Sequence, residues 1–182
     1  MRHIAALLTL GWLLVTSGCV PSLHPLYSEK DVVFEPALLG EWVESKPDSK
    51  STLTFTKSGD SEYKLISVDG NERSSFDAHL VKLGDKLFLD VASDSSVNCP
   101  TLCMPVHMFW LVSQTQPTLR LRDFNEKWLE EYVKNNPTVI KHEIVDKDVV
   151  LTASTKQLQS FIRRHVTTKE AFAEAVDYVR KE

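Results

Sequence analysis

The strongest constraint on the fold is a series of short alternating segments between Leu38 and Arg122. Apolar side chains recur there at every second position, as Leu53 and Phe55 do in "STLTFTK". Glycine-containing turns such as "VDGNE" separate the segments. A period of two with tight turns is typical of antiparallel strands in a meander that curls or closes. The segment "MPVHMFWLVS" is apolar on both faces, which indicates a strand covered on both sides.

The period changes to that of a helix after Arg122. An apolar stripe on residues 124–133 predicts a helix that opens with a capping box of Asp123 and Glu126. A hairpin in "HEIVDKDVVLTA" follows, then a helix opened by Ser154 and Gln157. We also expect a last helix from Thr167 to Val179. The predicted fold class is therefore α+β, an antiparallel β meander, curled or barrel-like, with C-terminal helices.

The N terminus has the composition of an export signal. A short positive start, "MRH", precedes an apolar run from Ile4 to Val15. At about 1.5 Å per residue this run is too short to cross a hydrocarbon core of about 30 Å. Small residues lead from there to Cys19. This order predicts a signal peptide over residues 1–18.

Ser17 and Gly18 before Cys19 resemble the bacterial lipobox, although Thr16 stands where that pattern usually has Leu. The resemblance implies that Cys19 is acylated and becomes the first residue of a membrane-anchored lipoprotein. The alternative is a plain secretory signal. In a bacterium with two membranes, Val20 in place of Asp favours the outer membrane, facing the periplasm. We expect a lipidated tether over residues 19–36, part of which packs on a single α+β domain over residues 37–182.

An exported chain reaches an oxidising compartment, so Cys99 and Cys103 are expected to form a disulfide. A copper site that includes Met104, His107 and Met108 is the alternative. Since a lone histidine on an apolar strand is more often a hydrogen-bonded core residue than a ligand, we predict no metal and no cofactor.

Gly40-x-Trp42 resembles the signature of lipocalins. This resemblance implies an eight-stranded barrel in which the tryptophan closes one end and the interior holds a ligand. The alternative is that Trp42 is an ordinary core aromatic. The candidate ligand-binding residues are aromatic side chains of the predicted strands: Trp42, Phe55, Phe76, Phe109 and Trp110.

Longer stretches, among them "GCVPSLHPLY" and "AHLVKLGDKLFLD", resemble small uncharacterised bacterial lipoproteins. This resemblance implies a shared fold and placement in the cell envelope. The net charge of −4, without a basic stripe, argues against a nucleic-acid partner. No catalytic motif is present, so we predict that the chain is not an enzyme.

Three function hypotheses follow. The first is an envelope lipoprotein that binds a protein partner or supports the envelope. The second is a lipocalin-like carrier of an apolar small molecule. The third is a hydrolase or copper protein built on His107 with Met104 and Met108.

Overall fold

The computed structural model describes residues 20–93 and 106–181. Cys19, Cys99, Cys103 and Met104 lie outside these residues, so the acylation, the disulfide and the cysteine ligand of a copper site stay predictions. The described strands are β1 (Val32–Val33), β2 (Gly40–Glu44), β3 (Thr52–Lys57), β4 (Tyr63–Asp69), β5 (Glu72–Leu83), β6 (Lys86–Ser93), β7 (His107–Gln114), β8 (Thr118–Asp123), β9 (His142–Val145), β10 (Asp148–Leu151) and β11 (Val176–Arg180).

Eight of these strands form a closed antiparallel barrel. β2 to β8 pair in chain order as a meander. β11 then pairs with β8 on one side and with β2 on the other, which closes the sheet. Closure satisfies the backbone groups that the edge strands would otherwise leave unpaired. The predicted fold class, including the barrel-like meander, is confirmed.

The chain between β8 and β11 forms α1 (Glu126–Asn135), the β9–β10 hairpin and α2 (Thr155–His165). The predicted capping box of Ser154 and Gln157 opens α2. The box predicted at Asp123 is wrong, because Asn125 is the N-cap and accepts a hydrogen bond from the backbone N–H of Trp128.

The predicted last helix is also wrong. A 3-10 turn at Lys169–Ala171 is followed by β11. The apolar positions of this segment fit a helical stripe, but Val176 and Tyr178 also alternate as a strand requires. The unpaired edges of β2 and β8 offer backbone partners that a helix would leave unused, and this tertiary context decides the structure.

Two apolar clusters lie on opposite faces of the barrel wall. The inner cluster fills the barrel, because directly paired residues share a face of the sheet. The outer cluster packs α1, α2 and the hairpin against the outward faces of β5 to β8. The buried residues of the inner cluster are Leu38, Trp42, Leu53, Phe55, Tyr63, Leu65, Ala78, Leu80, Leu89, Val91, Val112, Leu119 and Leu121.

The described part of the predicted tether packs on the domain. Val20 and Leu26 are buried in the outer cluster. The backbone of Ser22 bridges His107 of β7 and Leu151 of β10. β1 then pairs with the end of β5. Within residues 20–93 and 106–181, no helix combines the length and apolar character that crossing a membrane requires.

Candidate functional site

The barrel has two chemically different ends. We call one end the rim, defined by the last residues of β2, β4, β6 and β8: Glu44, Asp69, Ser93 and Asp123. We call the other the closed end, where β2 begins and β11 finishes. The 3-10 turn Pro36–Leu38, directly before β2, lies against the closed end.

Trp42 fills the barrel near the closed end. It is fully buried, and its indole Nε1 donates a 2.8 Å hydrogen bond to the backbone oxygen of Leu38. The guanidinium of Arg180 lies 4.6 Å from the centre of its ring. The same guanidinium donates 2.6 Å hydrogen bonds to the backbone oxygens of Leu39 and Ala37. Arg180 thus ties the last strand of the barrel to the chain that enters the first.

The backbone conformation and the close approach of Arg180 explain why a glycine occupies position 40 in Gly40-x-Trp42. Gly40 has a φ of +117°, a region that residues with a side chain rarely adopt. A Cβ at this position would also lie 2.6 Å from Nη1 of Arg180. The closed barrel and the buried Trp42 agree with the fold that the lipocalin resemblance implies, and they agree equally with Trp42 as a core aromatic residue.

The rim half of the interior contains partly exposed side chains. Four large side chains there pack against the inner cluster but are only partly buried. These four residues are Phe76, Met108, Trp110 and Tyr178. By contrast, Trp42, Phe55 and Tyr63 have at most 1% of their surface exposed. Aromatic surface is therefore partly exposed at the rim, whereas Trp42, Phe55 and Tyr63 of the closed half are buried.

Asp123 lies among these aromatic residues. It is paired with Trp110 across β7 and β8, and the Trp110 side chain hydrogen-bonds its carboxyl group. Burial raises the pKa of Asp123 above its ordinary value, and the Trp110 hydrogen bond offsets part of that rise. The sequence interpretation treated Asp123 as a helix cap. The alternation of Leu119, Leu121 and Asp123 on one face of β8 is the signal that would have placed it inside the barrel.

The predicted ligand-binding residues do not form one group. Phe76 and Trp110 lie in the accessible rim half, and Trp42 and Phe55 lie in the packed half. Phe109 points out of the barrel into the outer cluster, where its ring is 5.5 Å from that of Phe124. The structure therefore brings Phe76 and Trp110 together with two residues that sequence reasoning missed for this site, Met108 and Tyr178.

His107 is a hydrogen-bonded residue of the outer face. Its Nδ1 lies 2.7 Å from Oδ1 of Asp90, which is 1% exposed. The other carboxylate oxygen of Asp90 accepts a 2.7 Å hydrogen bond from the backbone N–H of Leu26. The pair therefore holds the N-terminal segment against the barrel wall.

Tyr27 completes this contact. Its ring stacks on His79 with a centroid separation of 4.2 Å. Burial, followed by the charge of Asp90, raises the pKa of Tyr27 to about 12, so the phenol stays neutral at physiological pH. The groups around His107 thus fix the N-terminal segment in place.

The copper alternative gains no geometric support from the described residues. His107 faces the outer cluster while Met108 packs against the inner one, so the barrel wall separates them. Within the described ranges, one group of acidic side chains could meet at a metal ion. Each of its three residues has a carboxylate oxygen within 4.8 Å of the others: Glu126, Glu130 and Asp148. Such groups are common on protein surfaces without a metal.

A groove of about 620 Å³ lies beside the closed end, where β6 begins and β7 ends, and it reaches the chain after α2. Leu87 and Val112 of the inner cluster are among its lining residues. Its lining includes polar residues such as Ser113, Gln114 and Thr167. None of the five predicted aromatic residues lines this groove. The predicted aromatic residues Phe76 and Trp110 therefore favour the rim over this groove as the candidate site.

No protein-family model, curated protein or solved structure matches this chain. Function must therefore be argued from the site itself.

Proposed function

We propose that the protein is a lipid-anchored envelope protein that binds an apolar small molecule at the rim of its barrel. The observation that carries this proposal is the difference between the two halves of the interior. Trp42, Phe55 and Tyr63 are buried in the closed half, while Phe76, Met108, Trp110 and Tyr178 are only partly buried at the rim. Apolar surface beside a few polar groups is typical of small-molecule sites.

The surface of the described residues favours this carrier over a protein-docking module. Docking surfaces usually expose a contiguous apolar patch of several hundred Å². Among the described residues, the large apolar side chains classed as exposed are Ile144, Val145 and Val179. Ile144 and Val145 sit at one hairpin and Val179 on the barrel, so they give little support for a large patch.

Ligand binding is tested by native mass spectrometry of the full acylated chain, extracted from its own membrane. We expect a small apolar molecule to copurify with the wild-type protein and to be lost from Trp110→Ala. Trp128→Ala is the matched control, because Trp128 is a partly buried tryptophan of the outer cluster. Equal retention by both variants, or no bound molecule in any of them, would overturn the carrier proposal.

The membrane anchor is tested separately. The lipobox resemblance at Cys19 supports it. We expect Cys19→Ala to abolish acylation, seen as a mass difference, and to release the protein from the membrane fraction. Unchanged processing and membrane retention would remove the anchor without affecting the ligand site.

A further inference from the structure

We propose that the rim selects apolar ligands that carry an amine or another hydrogen-bond donor, and discriminates against those that carry a carboxylate. This inference rests on the proposed ligand binding at the rim and adds the chemical class of the ligand. The charged residues that face the interior at each end of the barrel support it.

Carboxyl groups converge at the rim. Glu44 pairs with Tyr178, and Asp123 pairs with Trp110, so both face inward beside accessible aromatic rings. Asp69 ends β4 at the same end of the barrel. The charges of Glu44, Asp123 and Asp69 all act on the Tyr178 hydroxyl, and together with burial, the largest cause, they raise its pKa. Three acidic groups therefore lie near one accessible aromatic side chain.

Inward-facing cations lie at the opposite end. Arg180 covers Trp42, and Lys57 lies 5.0 Å from the ring of Phe34, both at the closed end. At the rim, Arg73 pairs with Val68 and Arg122 pairs with Leu111, so both face away from the interior. Lys46 and Lys50 lie in the exposed connection between β2 and β3. Residues 94–105, outside the described ranges, contain no Lys or Arg in their sequence.

Hydrogen-bonding capacity at the rim points the same way. Glu44 accepts a 2.6 Å hydrogen bond from the Ser49 hydroxyl at Oε2, and its Oε1 and the carboxylate oxygens of Asp69 can accept others when ionised. The Ser51 hydroxyl bonds to Tyr178 and can accept a further hydrogen bond. A bound carboxylate would face like charges, while the described arginines of the rim face outward, and this is costly in a partly desolvated site. An amine or a hydroxyl group would instead find acceptors.

The test uses three photoreactive probes with the same twelve-carbon chain and an amine, an alcohol or a carboxylate head group. The full acylated chain is reconstituted in phosphatidylcholine vesicles, and labelling of the peptides containing Phe76 and Trp110 is measured by mass spectrometry. We expect the amine to label these peptides about tenfold more than the carboxylate, with the alcohol between them.

The double variant Glu44→Gln/Asp123→Asn should bring the ratio of amine to carboxylate labelling to within about twofold. Asp60→Asn/Asp85→Asn is the matched control, because it removes two exposed carboxylates from turns at the closed end. Its ratio should equal that of the wild type. Carboxylate labelling equal to amine labelling, or the same loss of selectivity in the control, would overturn the proposed ligand class. Failure of all three probes to label the rim would instead overturn the rim as a binding site.

Discussion

Trp42 and Trp110 both face the interior of the same barrel, yet their surroundings differ. Trp42 is fully buried, donates to the backbone of Leu38 and lies under Arg180. Trp110 is partly exposed and hydrogen-bonds a carboxyl group whose pKa is raised by burial. The closed end therefore satisfies its polar groups within the protein, while the rim keeps apolar surface and acidic groups within reach of a ligand. Under the proposed function, stability depends mainly on the closed end and ligand binding mainly on the rim.

The largest expected effect separates the two tryptophans directly. Trp42→Ala should lower the free energy of unfolding by about 3–5 kcal/mol, because it leaves a cavity in the packed half and removes the bond to Leu38. Trp110→Ala should cost roughly 1–2 kcal/mol, since its side chain is already partly exposed. Urea unfolding followed by circular dichroism measures both values. Equal losses would contradict the division between the two ends.

A smaller effect is expected at Arg180, which closes the barrel over Trp42. Arg180→Ala removes two hydrogen bonds to backbone oxygens and a cation over an indole ring. Because Arg180 is exposed, we expect a loss of about 1–2 kcal/mol in the free energy of unfolding.

Arg180→Lys is the control for this prediction. Lysine keeps a positive charge near Trp42 but lacks the planar fork that reaches two carbonyl oxygens. Its stability should therefore lie between that of the wild type and that of Arg180→Ala. If Arg180→Ala were as stable as the wild type by the same urea titration, the closed end would not depend on this contact.

The strands of the barrel were predictable from the sequence because each one shows its alternation of apolar and polar residues over a few consecutive positions. Leu53 with Phe55, and Leu87 with Leu89, show a period of two that fixes which face is buried. The turn between β9 and β10 was also predictable from the sequence. Asp146 and Lys147 adopt the positive φ values of a tight hairpin.

The last strand and the rim site were not predictable in the same way. β11 forms because it pairs with β2 and β8. Both partners lie more than fifty residues earlier in the chain, so no local sequence pattern indicates this pairing. Asp123 occupies a position three residues before Glu126, where a helix cap is common, so local reasoning assigned it to the wrong element. Phe109 was misplaced because "VHMFWLV" is apolar on both faces, and alternation alone does not say which face is inside.

The smallest expected effect concerns pH and Asp123 at the rim. Burial raises the pKa of Asp123 in the folded state above its value in the unfolded chain. Its protonated form therefore favours folding at pH values below the unfolded pKa, and this contribution is lost as pH rises through the folded pKa. Asp123→Asn, which stays neutral, should match the wild type in acid and be more stable at neutral pH, by about 1.4 kcal/mol per unit of pKa elevation. Urea titrations from about pH 3 to about pH 8 measure this difference, with the exposed Asp60→Asn as control. A variant that is less stable than the wild type at neutral pH would show that ionised Asp123 stabilises the rim.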